Sequence, residues 1–271
     1  MRVITASAIG ILCLATTVAS AQNAGPKPGA LPDWSGAWVM QGPTVFDAAT
    51  VQPKNGRAGE PGVREFPPYN AEYEAIYKTH IELVKQGTFP DPISTCGTPH
   101  GFPRLMNLPD LYEFVVTQQQ VIVLGENGPN VLRIYTDGRT HPAPADLWPT
   151  YSGSSVGHWE GDTLVFTTIS LKGFSGKDVI VDRTGLVLSD ASRVTTRMRK
   201  IDDKTMEARM VIEDSKALTA PWTVVKRYTK QPPGTWGWDY SCAENNRNPI
   251  SNSGRTLTLG PDGKPIDKVK D

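Results

Sequence analysis

The sequence predicts a mainly β protein: an antiparallel meander that closes into a lipocalin-like barrel, with one helix near the N-terminus. Three observations carry this. Short runs of β-branched and aromatic residues follow one another beyond residue 111. Explicit turn sequences, among them Asn127-Gly128-Pro129, Asp137-Gly138 and Glu160-Gly161-Asp162, separate those runs. Only residues 70–87 carry a convincing helical period. Sequential strands on short turns imply antiparallel neighbours, closure removes exposed edges, and a barrel of roughly eight to ten strands can hold one small ligand.

In chain order, residues 1–21 read as a signal peptide: Arg2 precedes an apolar run from Ala8 to Val18, and Ala19-Ser20-Ala21 supplies a small-x-small cleavage site. The run is shorter than the about 20 residues that span a bilayer, so the mature chain is expected in the periplasm or outside the cell, without a membrane span. Residues 22–33 are a Pro/Gly/Ala-rich flexible leader. A first strand is expected over residues 33–40, with Trp34 and Trp38 on one face. Residues 53–68, rich in Gly, Pro and charge, read as a surface loop. The helix over 70–87 is capped by Asn70, presents Tyr73, Ile76, Tyr77, His80 and Val84 as one stripe, and ends at Gly87; His80 is explained by that stripe. Strands follow at 112–117, 121–125, 131–136, 154–159, 163–170, 192–201, 205–213 and 222–229. In the 205–213 run, Met206, Ala208, Met210 and Ile212 alternate with Glu207, Arg209, Val211 and Glu213, giving one apolar and one largely wet face. The reading is of a single domain over 34–258 with a polar tail at 259–271.

The chain carries 28 basic and 28 acidic residues, a balance with no electrostatic footprint for nucleic acid. Cys13 leaves with the signal peptide, so Cys96 and Cys242 remain and are expected to form one disulfide in an oxidising compartment. That bridge ties the segment before the strand-rich region to the segment after it, which favours one domain. The sequence specifies no oligomeric state.

Chemistry concentrates between Arg133 and Thr163, where two of the four histidines lie among acids, arginines, a tyrosine and glycines. Gly153-Ser154-Ser155-Val156-Gly157 matches G-x-S-x-G, but the nucleophile elbow needs a strand before it, a helix after it and a histidine well downstream, and the chain offers none of these. No two histidines have the spacing that presents two metal ligands from one element, so neither a metal nor a cofactor is expected. What remains is acid–base chemistry, with His141 as base, Asp137 orienting it, Tyr151 and Arg139 stabilising developing charge, and His158 as a second candidate. Arg104 and His100, in the rigid run from Cys96, are candidates to bind an anionic group. Trp148 and Trp159, with Trp222, Trp236 and Trp238, are candidates to floor an apolar pocket.

Asp33-Trp34-Ser35-Gly36, the C-x-x-P-x-G-x-P-R run at Cys96 to Arg104, the D-G-R-x-H-P block at Asp137 to Pro142, the block from Ser155 to Val165 (S-V-G-H-W-E-G-D-T-L-V) and Pro221-Trp222 together resemble a group of exported, functionally uncharacterised bacterial proteins. The resemblance covers most of the mature chain and implies no particular activity. In broad architecture the barrel is also similar to lipocalin-type proteins, from which the long leader and the inserted helix depart. The resulting expectation is an exported barrel whose mouth binds a small, partly apolar molecule and transforms it as a cofactor-independent lyase or isomerase. The same cavity without turnover is a passive carrier, and exposed tryptophans meeting a partner would make a cell-envelope interaction protein.

Overall fold

The computed structural model describes residues 31–42, 44, 46, 67–87, 90, 101–128, 130–173, 179–182, 184–241 and 264. Cys96, Cys242 and His100 lie outside the described residues, as do the expected signal peptide at residues 1–21 and, apart from residue 264, the expected tail at 259–271. The strands are β1 (Ala37–Met40), β2 (Leu111–Val116), β3 (Gln120–Gly125), β4 (Asn130–Tyr135), β5 (Ser154–Glu160), β6 (Thr163–Ile169), β7 (Val179–Ile180), β8 (Val187–Leu188), β9 (Arg193–Asp202), β10 (Thr205–Glu213) and β11 (Trp222–Lys230). Nine of them close a barrel in the order β1-β11-β10-β9-β6-β5-β4-β3-β2, and β7 pairs with β8 as a separate small hairpin. The alternation read in residues 205–213 is the inward and outward alternation of β10: Met206, Ala208, Met210 and Ile212 are fully buried.

Two features depart from the expected meander. β4 and β5 run parallel, pairing Ile134 with Ser155 and Tyr135 with Val156. The connection between them, residues 136–153, is long enough to cross back outside the wall and restart in the same direction, which a tight hairpin cannot do. The β7–β8 hairpin was not anticipated, because two-residue strands show no alternation. It packs beneath the one α-helix among the described residues, α1 (Ala71–Lys85), whose N-cap Asn70 accepts from Tyr73 N at 3.0 Å. Tyr69 Oη donates to Val187 O at 2.6 Å, and His80 Nδ1 donates to Gly185 O at 2.6 Å. The helix thus covers the hairpin, with His80 held as a packing residue. No helix among the described residues is long and apolar enough to cross a membrane.

The barrel is filled. Trp38, Val123, Ile134, Met198 and Val224 are all wholly buried in one continuous core. At the end where the β5–β6 and β9–β10 hairpins turn, Trp34 enters ahead of β1 and meets Phe114 and Trp159 edge-on, with ring centroids 6.1 and 5.2 Å away. At the opposite end residues 101–108 fold inward as a plug, with Phe102, Leu105, Met106 and Leu108 at most 1 % exposed. A chain entering a barrel must satisfy its own peptide groups there. Tyr112 Oη donates to Leu105 O at 2.6 Å and accepts from Leu108 N at 2.7 Å, while Tyr228 Oη donates to Met106 O at 2.8 Å.

Tyr112→Phe would strand a buried amide and a buried carbonyl while keeping the ring. The expected loss is about 1–3 kcal/mol of unfolding free energy, read as a lowered denaturant midpoint with an unchanged slope.

Candidate functional site

The segment after β4 lies against the outer wall, and with it the residues first suspected of catalysis. The imidazole of His141 is half-buried over β5 and β6, its Nε2 2.7 Å from Thr167 Oγ1 and its Nδ1 3.2 Å from Ser154 Oγ. Thr167 and Ser154 alternate with the buried Phe166, Thr168 and Ser155, so they face outward and His141 stands on the wall rather than at a mouth. Burial, followed by the charge of Arg193, holds the imidazole below its ordinary pKa of 6.5, so it is neutral at neutral pH.

The expected partners of His141 are engaged elsewhere. Asp137 binds Arg139 through both carboxylate oxygens, with Nε–Oδ1 at 2.8 Å and Nη2–Oδ2 at 2.5 Å, and that guanidinium stacks 3.8 Å from the Tyr135 ring centroid. A two-residue separation lets the pair close on itself, which is why Asp137 does not orient the imidazole. Tyr151 accepts from Phe102 N through its carbonyl at 2.8 Å and lays its ring 5.6 Å from Lys172 Nζ, so it fastens the plug. His158 sits further along the outer face of β5, 3.2 Å from Glu160 Oε1, and Glu160 in turn accepts from Arg197 Nη2 at 2.7 Å. Both bonds hold the Glu160 carboxyl below its usual range, Arg197 contributing more.

The remaining candidates divide between core and solvent. Arg104 is 3 % exposed within the plug, and Trp159 packs against Trp34 in the core, where its indole N–H has no hydrogen-bond partner among the described residues. Trp148 is 83 % exposed. The G-x-S-x-G stretch is architectural: Ser155 bonds Thr168 Oγ1 at 2.8 Å inside the barrel, and a Cβ at Gly157 would lie 2.5 Å from Val165 O. Among the described residues no group of three or more His, Cys, Asp or Glu side chains is placed to hold a metal ion.

A different surface gathers features of a binding site. Beyond β11 the chain returns and lays residues 237–241 across the outer ends of β2, β3 and β4. Gly128 N donates to Tyr240 O at 2.7 Å, Trp238 N donates to Glu126 Oε1 at 2.8 Å, and Leu111 N donates to Glu126 Oε2 at 3.2 Å. The result is a groove of about 630 Å³ floored by Leu124, Gly125 and Val131, flanked by Trp238 and Tyr240, and edged by Glu113, Glu126 and Asp239. Trp236 stacks on Trp238 with centroids 5.9 Å apart and planes 26° apart, and the two are 75 % and 65 % exposed. Tyr240 Oη donates to Asp110 Oδ1 at 3.1 Å. Burial, then the neighbouring Asp110 charge, pushes the Tyr240 phenol up to about 12, and burial is also the main reason the Asp110 carboxyl is raised.

Sequence reasoning proposed Trp236 and Trp238 for an apolar pocket but missed the acidic rim. Glu113 was findable, since it alternates with the inward Tyr112 and Phe114. Glu126 and Asp239 come together only because a segment more than a hundred residues downstream returns to β3, which no local pattern encodes. Fold and surfaces define a β-barrel with a densely packed interior and a groove on its outer wall. Compared with known proteins, the chain matches no family model and no curated protein.

Because His141 is held neutral in the folded state, its contribution to stability is complete above pH 6.5 and is lost as pH falls below that value through the lower folded pKa. His141→Ala is expected to cost about 1 kcal/mol at neutral pH, the scale of ordinary hydrogen bonds. The gap between wild type and variant in unfolding midpoint should narrow on acidification.

Proposed function

We propose that the protein is an exported small-molecule binding barrel that seats its ligand in the outer groove beneath Trp238 and does not turn it over. One observation carries the reading: two stacked tryptophans, each mostly exposed, stand at the edge of a 630 Å³ groove with an apolar floor. Tryptophan is highly buried on average in folded proteins, and a concave, partly apolar site with a few placed polar groups is the common form of a ligand pocket. The wholly buried core side chains inside the barrel favour an outer seat over an interior one. The acid–base reading is less well supported, because His141 spends both ring nitrogens on wall hydroxyls and forms no hydrogen bond with a carboxylate among the described residues. Export rests on residues 1–21, and the resemblance to exported bacterial proteins points the same way.

The test is a titration of the mature protein against pooled aromatic, terpenoid and sugar-derived compounds, followed by tryptophan fluorescence and by mass spectrometry of the recovered pool. A compound that binds should lose at least about tenfold in affinity with Trp238→Ala, the scale of an aromatic stacking contact, and should bind His141→Ala as it binds wild type. Binding untouched by Trp238→Ala would reject the groove. A product formed by wild type and not by His141→Ala would replace binding with catalysis.

A further inference from the structure

We infer that the ligand of this groove is an organic cation of the quaternary ammonium type; the inference rests on the groove being the binding site. Among the described residues the lining contributes Glu113, Glu126 and Asp239 and no Lys, Arg or His. Asp110 adds a further carboxylate at the edge, bonded to Tyr240. Glu126 accepts from two backbone N–H groups, those of Leu111 and Trp238, rather than from a cationic side chain. Glu113 and Asp239 have neither an ion pair nor a hydrogen bond to another side chain among the described residues. Where a rim is acidic and its base is apolar, an anion is repelled and a neutral ligand leaves the carboxylates without charge balance. A cation supplies that balance.

The aromatic groups narrow the chemistry. A cation near the face of an indole is attracted by the ring quadrupole, and aromatic side chains combined with carboxylates are a recurring way to hold an alkylated ammonium. Such a head carries its charge on methyl groups, which suits the apolar floor of Leu124 and Val131 better than a strongly hydrated primary amine. Burial raises the Asp110 carboxyl's pKa and the Glu126 charge adds to it, while the hydrogen bond from Tyr240 and the charge of Arg104 act the other way.

The experiment uses the full mature chain and two probes of nearly the same shape: choline, and its uncharged carbon analogue in which a tert-butyl group replaces trimethylammonium. Binding is followed by tryptophan fluorescence and by calorimetry at low and at high salt. Choline is expected to bind at least about tenfold more tightly than the analogue, and to weaken as salt is added. Glu113→Gln combined with Asp239→Asn should weaken choline about tenfold or more and leave the analogue unchanged. Equal affinity for the two probes, choline binding that ignores the double substitution, or no choline binding at all would each overturn the cation assignment. A pooled compound still lost in Trp238→Ala would then leave the groove standing as the site of an uncharged ligand.

Discussion

Backbone can enter a closed barrel only if its peptide groups find partners inside, and in this protein two tyrosine hydroxyls meet that condition. Tyr112 and Tyr228 lie on β2 and β11, on either side of β1 in the ring of strands, with their ring centroids 5.1 Å apart. Their hydroxyls serve three successive parts of the plug, at Leu105, Met106 and Leu108. Because those bonds are made, Phe102, Leu105, Met106 and Leu108 contribute apolar area to the same core as the strands. The interior is thereby used for stability. Burial raises the pKa of both phenols, so they stay protonated and able to donate across the accessible pH range.

Filling the inside moves the question of function to the wall, and there the position of His141 becomes intelligible. The chain must travel from the end of β4 back to the start of a parallel β5, and the returning segment needs anchors on the surface it crosses. His141 supplies one between Ser154 and Thr167, and the carbonyl of Tyr151 supplies another by receiving Phe102 N. The density of polar residues in this stretch is therefore accounted for by a crossover that docks against a sheet. Gly153 belongs to the same device. It adopts φ +67°, and a Cβ there would lie 2.6 Å from Ile169 O, so the chain can re-enter the sheet only with glycine at this point.

Period-two alternation and turn chemistry were legible in the sequence because each depends on neighbours within a few residues. The run 205–213 and the caps of α1 at Asn70 illustrate this, and the long strands fall within a residue or two of where the alternation places them. What was not legible is what depends on distant return of the chain. Trp34 and Trp159 are both tryptophans in strand-like surroundings, yet one end of the barrel brings them together as packing, while Trp236 and Trp238 remain in solvent. Composition cannot separate those fates. The G-x-S-x-G match shows the same limit from the other side: its glycines are needed for close packing against β6, and the serine for a buried bond to Thr168.

The outer wall is also electrically divided, and the division follows from register. On β9 and β10, Arg197 stands directly opposite Arg209, and Glu207 lies opposite both Arg199 and Arg227. Glu207 forms an ion pair with Arg227, and Glu160 with Arg197, so Arg199 and Arg209 leave that face basic. Like charges directly opposite one another weaken a sheet, and the repulsion is lessened by placing the arginines where water reaches them. Around the ring, β9 and β10 lie across the barrel from β3, whose outer end carries the groove with Glu113, Glu126 and Asp239. A chain whose 28 basic and 28 acidic residues cancel is therefore not uniform in potential. Such a separation orients an approaching charged molecule even when the net charge is zero.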